Sequence, residues 1–532
     1  MTDQAKLNQT RFRVIEGARD ENDFRLARRA KAMRPLNATV GVSELAAEMA
    51  VIYALSLLRD VALTDLENPH HGVRIDAQTS FTLHELLCEL RSLPWLDRHA
   101  IPCFAEQPDE PARHAAQDDE HMRRASRWNK DGQLTLRMLV RGATRTDICG
   151  PLLSQLMPSL EPSQAGPDGA DLDRVFETLP APDAPAVIWK MWLNAKCCEA
   201  ETPAERMPRT LRELAVVGHP ASPGRAVLAL GLAMSSIVLP PVTALAGRGW
   251  GGAELLSVMA EAVLLAKQAS RAQAALAGPM PRPALLAARL SLMVDHASVV
   301  PANPADVSSR QILEELRRFA PRLLTWVARR NAVDGSASID SAVTVDAGPR
   351  LPPATRRGDN LMLPHLSQGD ATLRPLDAQS QGTVAGACLT ILKAVYAGPL
   401  STSSHRQRTG KGAAHMGSSP HMLPRRPGLS GDLDKLASNM VLGRLVTGGY
   451  FHLENLAALR KGERIAMALL SELAESGRAS GDLGFISFDG KPVRISARRR
   501  ACGSVRAEIS INGCPVSDIG NTGSPRPALR AV

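Results

Sequence analysis

Aromatic residues make up only 3% of this 532-residue chain, and their scarcity restricts how a core can be built. Hydrophobic residues account for 44% of the sequence, so the core must consist mainly of Leu, Ala, Val and Met side chains. Ala, Leu and Met are strong helix formers, whereas β-sandwiches draw on aromatic and β-branched residues. The composition therefore predicts a mainly α protein with small-residue packing between its helices.

The charge and the apolar stretches limit the classes of partner. The net charge of +9 is spread along the chain, without the clustered basic face and interleaved aromatic residues that nucleic-acid binding uses. Eight cysteines without paired spacing predict free thiols rather than a zinc site. The uncharged stretch 226–247 is interrupted by Pro240 and Pro241, so it is predicted to be a buried core helix rather than a membrane span. Because the first residues have no apolar core, we expect no signal peptide and a cytoplasmic location.

Periodicity and composition divide the chain into segments. Apolar residues recur at helical spacing in 43–61, where Ser43 is the predicted N-cap, and also in 81–96, 249–268 and 456–475. Residues 484–495 alternate as in a short strand or hairpin. The predicted organisation is a flexible basic arm (1–41), an N-terminal helical half (42–157), a Pro-, Asp- and Gly-rich linker (158–185), a C-terminal helical half (186–498) and a tail (499–532).

Three stretches of the second half carry a family resemblance. They read AQAALAGPMPRPA (272–284), RPLDAQSQGTVAGAC (374–388) and GDLDKLASNMVLGRLVTGGYFHLE (431–454). In this order they resemble the anion-site motifs of the vanadium-dependent haloperoxidases, in the bacterial and algal bromoperoxidase-like branch, a family allied to the acid phosphatases. Four weaker matches in the first half occur in the family's order. The resemblance implies two helical-bundle halves and self-association as a homodimer, and the alternation in 484–495 adds a minor C-terminal β hairpin.

Members of this family bind an oxyanion with a lysine and two arginines, since Arg offers planar donors that suit tetrahedral oxyanions. One histidine binds the metal or attacks phosphorus, and another serves as acid and base. By position, Arg282 and Arg444 match the two arginines. Ser380 stands where the family has a glycine whose backbone amide faces the anion, and Gly449 lies beside the axial-ligand position. The resemblance thus implies an anion site formed by Arg282, Arg444, Ser380 and Gly449.

The same motifs lack the groups that the family's chemistry needs. The lysine position is Ala274, and Met280 replaces a flanking arginine. Gln381 replaces the acid/base histidine, and glutamine donates hydrogen bonds but does not shuttle protons near neutral pH. Tyr450 replaces the axial histidine, and its ordinary pKa near 10 makes it a poor ligand. We therefore expect no vanadate, no other metal and no cofactor.

Four histidines remain as alternatives for completing the site. His452 follows Tyr450 by two residues, whereas His405, His415 and His421 lie in the basic loop 399–430. Lone loop histidines are more often solvated than catalytic. The sequence alone leaves open whether any of them reaches the site.

Three functions follow from these motifs. The first is cofactor-independent chemistry on an anionic or carbonyl-bearing metabolite, with Tyr450 as proton donor and Gln381 as hydrogen-bond donor. The second is a pseudoenzyme that binds a partner or a small anion, with Tyr450 as a packed aromatic. The third, an active haloperoxidase or phosphatase, is disfavoured because up to three positive groups and the axial ligand are missing.

Overall fold

The computed structural model describes the chain in separate stretches. They are residues 28–30, 32, 40–97, 120–129, 131–141, 152–157, 207–217, 223–236, 244–245, 248–249, 252–276, 282–295, 304–341, 360–363, 375–397, 428–477, 482–499 and 505–516. The predicted linker at 158–185 and the loop histidines His405, His415 and His421 lie outside these residues.

The protein is mainly α, as the composition predicts. Its helices are α1 (Val42–Leu57), α2 (Leu83–Arg91), α3 (Leu136–Arg141), α4 (Leu211–Val217), α5 (Pro223–Ser236), α6 (Gly252–Leu276), α7 (Pro283–Asp295), α8 (Pro304–Phe319), α9 (Pro321–Ser341), α10 (Pro375–Leu392), α11 (Leu429–Val446) and α12 (His452–Glu475). A π-helical turn, Lys393–Ala397, continues α10. No helix among the described residues is long and apolar enough to cross a membrane.

Two short antiparallel pairs and one sheet accompany the helices. The pairs are β1 (Gly72–Arg74) with β2 (Ser80–Thr82), and β3 (Ala244–Leu245) with β4 (Arg248–Gly249). The C-terminal sheet has four antiparallel strands in sequential order, namely β5 (Leu483–Ile486), β6 (Pro492–Arg499), β7 (Val505–Ile511) and β8 (Cys514–Val516). The predicted hairpin is confirmed as β5 and β6. It is only half of the sheet, because β7 and β8 come from the segment predicted as a tail.

A capping box explains where α2 begins, whereas α1 has no side-chain cap. Thr82 caps α2 by accepting a hydrogen bond from the Glu85 amide at 3.2 Å, and the Glu85 carboxylate accepts from the Thr82 amide at 2.8 Å. The predicted cap of α1 is wrong, because the N-cap is Gly41 and it makes no side-chain bond. Ser43 lies inside α1 and donates instead to the Glu315 carboxylate at 2.6 Å. Its hydroxyl therefore joins α1 to α8.

The centre of the second half is a close crossing of α10 and α12. A Cβ added at Gly386 would fall well under 3.0 Å from the Leu459 carbonyl oxygen, and one added at Gly462 would meet the Thr383 carbonyl oxygen and the Ala387 amide. The two backbones approach this closely only because both positions are glycine. Helix α6 packs on α10 from a second direction. This crossing fixes the position of Gln381 relative to α12.

The two predicted halves are packed on each other in the described residues. Helix α1 lies against α8 and α9, and α11 contacts α1, α3 and α4. Within the segment predicted as a flexible arm, residues 28–30 and 32 are helical. Arg28 and Arg29 form ion pairs with Glu475 and Glu472 at 2.5 Å. This part of the arm is therefore tied to the end of α12.

Candidate functional site

The chain reversal after α11 places Tyr450 against Arg444. Gly448 adopts the left-handed conformation (φ 67°), its amide donates to the Leu445 carbonyl at 3.0 Å, and the Gly449 amide donates to the Arg444 carbonyl at 3.3 Å. These two bonds form a Schellman motif, in which glycine is favoured because its φ is positive. The reversal folds the Tyr450 ring back over the last turn of the helix, with the Arg444 Cζ 4.0 Å from the ring centroid.

Arg444 is the central charge of this site. Its side chain is 1% exposed, and neither Nε nor Nη1 has a hydrogen-bond partner in the part of the chain that the structure describes. No carboxylate of the described residues lies within ion-pair distance of it. Burial lowers the pKa of Arg444 to about 10, against the opposing effect of Tyr450 and Glu454. The guanidinium is thus a buried cation whose charge is not directly compensated, an arrangement that costs free energy.

Arg282 supplies a second cation to the same ring. It immediately precedes α7, and its Cζ lies 5.6 Å from the Tyr450 ring centroid. The Ala284 amide donates to the Gly448 carbonyl at 3.3 Å, which ties the start of α7 to the reversal after α11. Two arginines from distant parts of the sequence therefore meet at Tyr450, as their motif positions predict. Unlike Arg444, Arg282 is exposed.

Helix α10 forms the wall beside Arg444. Ser380 and Gln381 are both buried, and a Cβ added at the next residue, Gly382, would lie 3.4 Å from Arg444 Nη1. Because α10 begins at Pro375, the Ser380 amide lies beyond the first four donors of the helix and is used within it. Ser380 can therefore reach an anion only through its hydroxyl. The implied role of its backbone amide is not present in this structure.

Gly449 requires a similar correction. It was implied as an anion-binding residue, and its amide, the group through which glycine could bind an anion, donates to the Arg444 carbonyl. Of the two degenerate positions, Ala274 lies on α6 and Met280 lies outside the described residues. The implied anion-binding residues thus reduce to Arg444, Arg282 and the Ser380 hydroxyl, together with the Gln381 amide group.

Glu454 belongs to the site although sequence reasoning gave it no role. Burial raises the pKa of Glu454 to about 7. The hydrogen bond from the Phe451 backbone amide and the charges of Arg444 and Arg282 act in the opposite direction. Its carboxylate accepts a hydrogen bond from the Phe451 amide at 2.8 Å at the start of α12. Glu454 is at N3 of α12, where a glutamate caps the N-terminus. Sequence reasoning missed this position because the predicted helix begins at residue 456.

The raised pKa of Glu454 predicts a pH-dependent effect of Glu454→Gln. The folded state holds the proton up to about pH 7, and the unfolded state releases it near 4.5, so ionisation destabilises the fold as the pH rises through this window. Glutamine keeps an oxygen for the Phe451 amide but never ionises. Relative to the parent, the variant should therefore be unchanged at pH 4.5 and more stable by about 1–2 kcal/mol at pH 8. Urea unfolding of the parent and the variant at pH 4.5 and pH 8 measures this difference in stability. The same difference between the two proteins at both pH values would contradict the prediction.

His452 points into a buried polar cluster between the two halves. Its Nε2 lies 3.2 Å from the Ser126 hydroxyl, which donates to the Arg123 carbonyl at 2.6 Å, so the imidazole must be the donor. Its backbone amide donates to Glu48 at 2.7 Å. Burial, and then the charge of Arg127, hold the pKa of His452 well below its usual range. Its Nε2 is therefore committed to Ser126 and is not a free ligand for a metal.

Lys461 is a second residue that sequence reasoning missed. Its ammonium donates to the Gln273 side chain and to the Ala269 carbonyl at 3.3 Å, on the turn of α6 just before Ala274. Burial, followed by the charge of Arg464, lowers the pKa of Lys461 to about 8. No local signal marked it, because Lys461 stands in the charged run RKGER (460–464), which is typical of the solvated face of an amphipathic helix.

Comparison with known proteins gives no family assignment. No protein-family model matches the chain. No curated protein matches it either. Among the described residues, no group of three or more His, Cys, Asp and Glu side chains could hold a metal ion. The geometry around Arg444 and Tyr450 is therefore what a functional assignment rests on.

Proposed function

We propose that this protein is a divergent relative of the vanadium-dependent haloperoxidases that binds a small anionic metabolite at Arg444 and does not oxidise halides with vanadate. The observation that carries the proposal is the buried Arg444 guanidinium, two of whose nitrogens lack a partner among the described residues. The motif resemblance supports the same position, because Arg444 stands where the family has an oxyanion-binding arginine.

Other buried cations of this chain show what a purely structural charge looks like. Arg127 is 2% exposed and pairs with Glu48 at 2.5 Å. Lys393 pairs with Asp434 at 2.9 Å and also donates to the Ile486 carbonyl at 2.8 Å. Buried charges are normally compensated in this way because an isolated one is very costly. The Nε of Arg127 also lacks a partner among the described residues, but Arg444 differs in that none of their carboxylates lies within ion-pair distance of it. An anionic ligand would supply the missing compensation.

The site favours an anion of low charge. A multiply charged oxyanion such as vanadate needs several cations, and the family's lysine position is Ala274 in this chain. Each charge-assisted hydrogen bond to an ion contributes roughly 1.5–3 kcal/mol, so losing several weakens binding by orders of magnitude. Lys461 does not restore the site in its present contacts, because its ammonium is bonded to α6. A monoanionic carboxylate suits the remaining pair, Arg444 and Arg282.

A second candidate function is cofactor-independent acid–base chemistry on the bound metabolite. The observation that favours it is Glu454, whose pKa of about 7 suits a group that exchanges protons near neutral pH. Burial also raises the pKa of Tyr450, so its hydroxyl keeps its proton and acts as a donor. The Tyr450 ring lies directly on the Arg444 guanidinium, and this closed packing favours binding without turnover.

The test is a thermal-shift panel of phosphate, sulfate and carboxylate metabolites on the full chain and on Arg444→Ala. At least one anion is expected to raise the melting temperature of the parent and not that of the variant. Equal shifts in both proteins for every anion would reject the Arg444 site. Turnover assays on the anions that bind would then separate chemistry from binding.

We also expect no vanadium chemistry. After incubation with excess vanadate and removal of the unbound ion, elemental analysis should find far less than one vanadium per chain. Dye bromination in the presence of peroxide and bromide should not exceed the protein-free rate. Stoichiometric vanadium or bromination above background would show that ligands outside the described motifs complete the family's site.

A further inference from the structure

The Tyr450 ring covers Arg444. Arg444 is 1% exposed and Tyr450 is 4% exposed, and the Arg444 Cζ lies 4.0 Å from the ring centroid. Another wall is α10, where a Cβ added at Gly382 would lie 3.4 Å from Arg444 Nη1. That wall is part of a close helix crossing, whereas the ring belongs to the reversal between two helices. The ring is therefore the cover that can be removed without moving a helix, and a ligand reaches Arg444 when the ring leaves its seat.

The backbone on both sides of Tyr450 is fixed. Before it, the Gly449 amide donates to the Arg444 carbonyl at 3.3 Å. After it, the Phe451 amide donates to the Glu454 carboxylate at 2.8 Å. Because these bonds hold the chain in place, the motion that uncovers Arg444 is a change of the Tyr450 side-chain rotamer.

The ring has room to turn toward the surface. Arg282 is exposed, and Thr447 and Gly449 in the same reversal are half-buried. The reversal thus lies at the surface of the protein, and a small rotation brings the Tyr450 ring into solvent beside Arg282.

The seat of the ring suits a flat molecule with one anionic oxygen group. Two guanidinium groups lie over the Tyr450 ring, with the Cζ of Arg444 at 4.0 Å and that of Arg282 at 5.6 Å from its centroid. The Tyr450 hydroxyl also accepts a side-chain hydrogen bond from Arg444. Guanidinium groups attract the negative face of an aromatic ring and, more strongly, an anionic oxygen. The tyrosine thus fills the seat as an aromatic ring with one oxygen on Arg444.

We infer that Tyr450 is a gate that rotates out of this seat, and that the ligand of Arg444 is a flat aromatic monocarboxylate the size of a single ring, which takes the place of the phenol. Its carboxylate replaces the hydroxyl on Arg444, and its ring takes over the contact with Arg282. Acetate would leave the vacated seat partly empty, and the lining of such a void loses its contacts. A saturated ring lacks the π face that attracts a cation. This inference rests on the function proposed for Arg444.

A gate and a ligand contact predict opposite effects of removing the Tyr450 ring. The phenol and the carboxylate compete for Arg444, so removing the phenol strengthens binding, whereas removing a contact or a proton donor would weaken it. Calorimetric titration of the full chain and of Tyr450→Ala with benzoate, cyclohexanecarboxylate and acetate tests both parts. Benzoate should bind the parent at least tenfold more tightly than either of the other two anions. Tyr450→Ala should bind benzoate at least tenfold more tightly than the parent.

Fluorine NMR follows the gate in the parent protein itself. The chain has three tyrosines, Tyr53, Tyr396 and Tyr450, so labelling with 3-fluorotyrosine gives three signals, and Tyr450→Phe assigns the third. Tyr53 is the internal control, because it is wholly buried and its hydroxyl donates to the Leu361 carbonyl at 2.8 Å. Saturating benzoate should shift the Tyr450 signal and expose it to a soluble paramagnetic relaxation agent, while the Tyr53 signal stays unchanged.

The outcomes separate the gate from the proposed function. Benzoate binding that leaves the Tyr450 signal unmoved, or that is not strengthened in folded Tyr450→Ala, overturns the gate while Arg444 remains a binding site. Acetate or cyclohexanecarboxylate binding as tightly as benzoate overturns the aromatic ligand. Benzoate binding that Arg444→Met leaves intact lies elsewhere and overturns both. The absence of binding by all three anions, in the parent and in Tyr450→Ala, rejects the function proposed for Arg444 and the gate with it.

Discussion

Replacing Arg444 with methionine should leave the free energy of unfolding unchanged or raise it by about 1–3 kcal/mol, although the side chain is wholly buried. Methionine has a similar shape without a charge, so the variant no longer buries two nitrogens that lack partners among the described residues. The stacking of the cation on Tyr450 is lost, which offsets part of the gain. A buried residue that lowers the stability of the fold is expected to be kept where it serves binding.

The matched control is Arg127→Met. Arg127 is equally buried, but it neutralises Glu48 at 2.5 Å, so its removal leaves an unpaired buried carboxylate. Breaking such a pair from one side costs about 3–5 kcal/mol. Urea unfolding of both variants measures the contrast. If Arg444→Met is destabilised as strongly as Arg127→Met, Arg444 is a structural residue and the proposed function loses its main support.

Gly462→Ala should be one of the most destabilising single substitutions in this protein, by about 3 kcal/mol or more. An added methyl group would meet the Thr383 carbonyl oxygen and the Ala387 amide of α10, which are backbone atoms that cannot rotate away. Helix propensity acts in the opposite direction, since alanine is preferred to glycine by about 1 kcal/mol in a helix interior. The clash is expected to prevail, because relief requires α10 and α12 to separate.

Gly72→Ala is the control for this prediction, since a Cβ at Gly72 would meet no atom within 4 Å. Equilibrium unfolding and near-ultraviolet circular dichroism of the two variants measure the difference. A Gly462→Ala protein as stable as Gly72→Ala would show that the helices do not cross as closely as described.

The helices were predictable because their signals are local. Apolar periodicity and a glutamate in the first turn placed α6, and the alternation in 484–495 placed β5 and β6. Strand β7, VRAEISI, alternates apolar and polar residues, so its signal was present in the sequence and was overlooked within the segment predicted as a tail. Strand β8 has only three residues, too few for an alternation to be recognised. The close crossing at Gly386 and Gly462 was also missed, since a glycine in a helix gives no sign of which backbone approaches it.

The site was predictable only in part. Motif positions placed Arg282, Arg444 and Tyr450 together, and the structure brings all three into contact. The roles of the Ser380 and Gly449 amides could not be judged from sequence, because they depend on whether helix α10 and the Schellman motif use those donors. Glu454 and Lys461 acquire shifted pKa values through burial by distant elements, which no local pattern reports.

The most direct measurement of the central claim is calorimetric titration with a monocarboxylate at pH 6, where Glu454 is largely protonated. We expect binding at one site per chain. Replacing Arg444 with methionine should weaken this binding by at least about a hundredfold, because about 3 kcal/mol of charge-assisted hydrogen bonding is lost. Equal affinity with and without Arg444 would contradict the account.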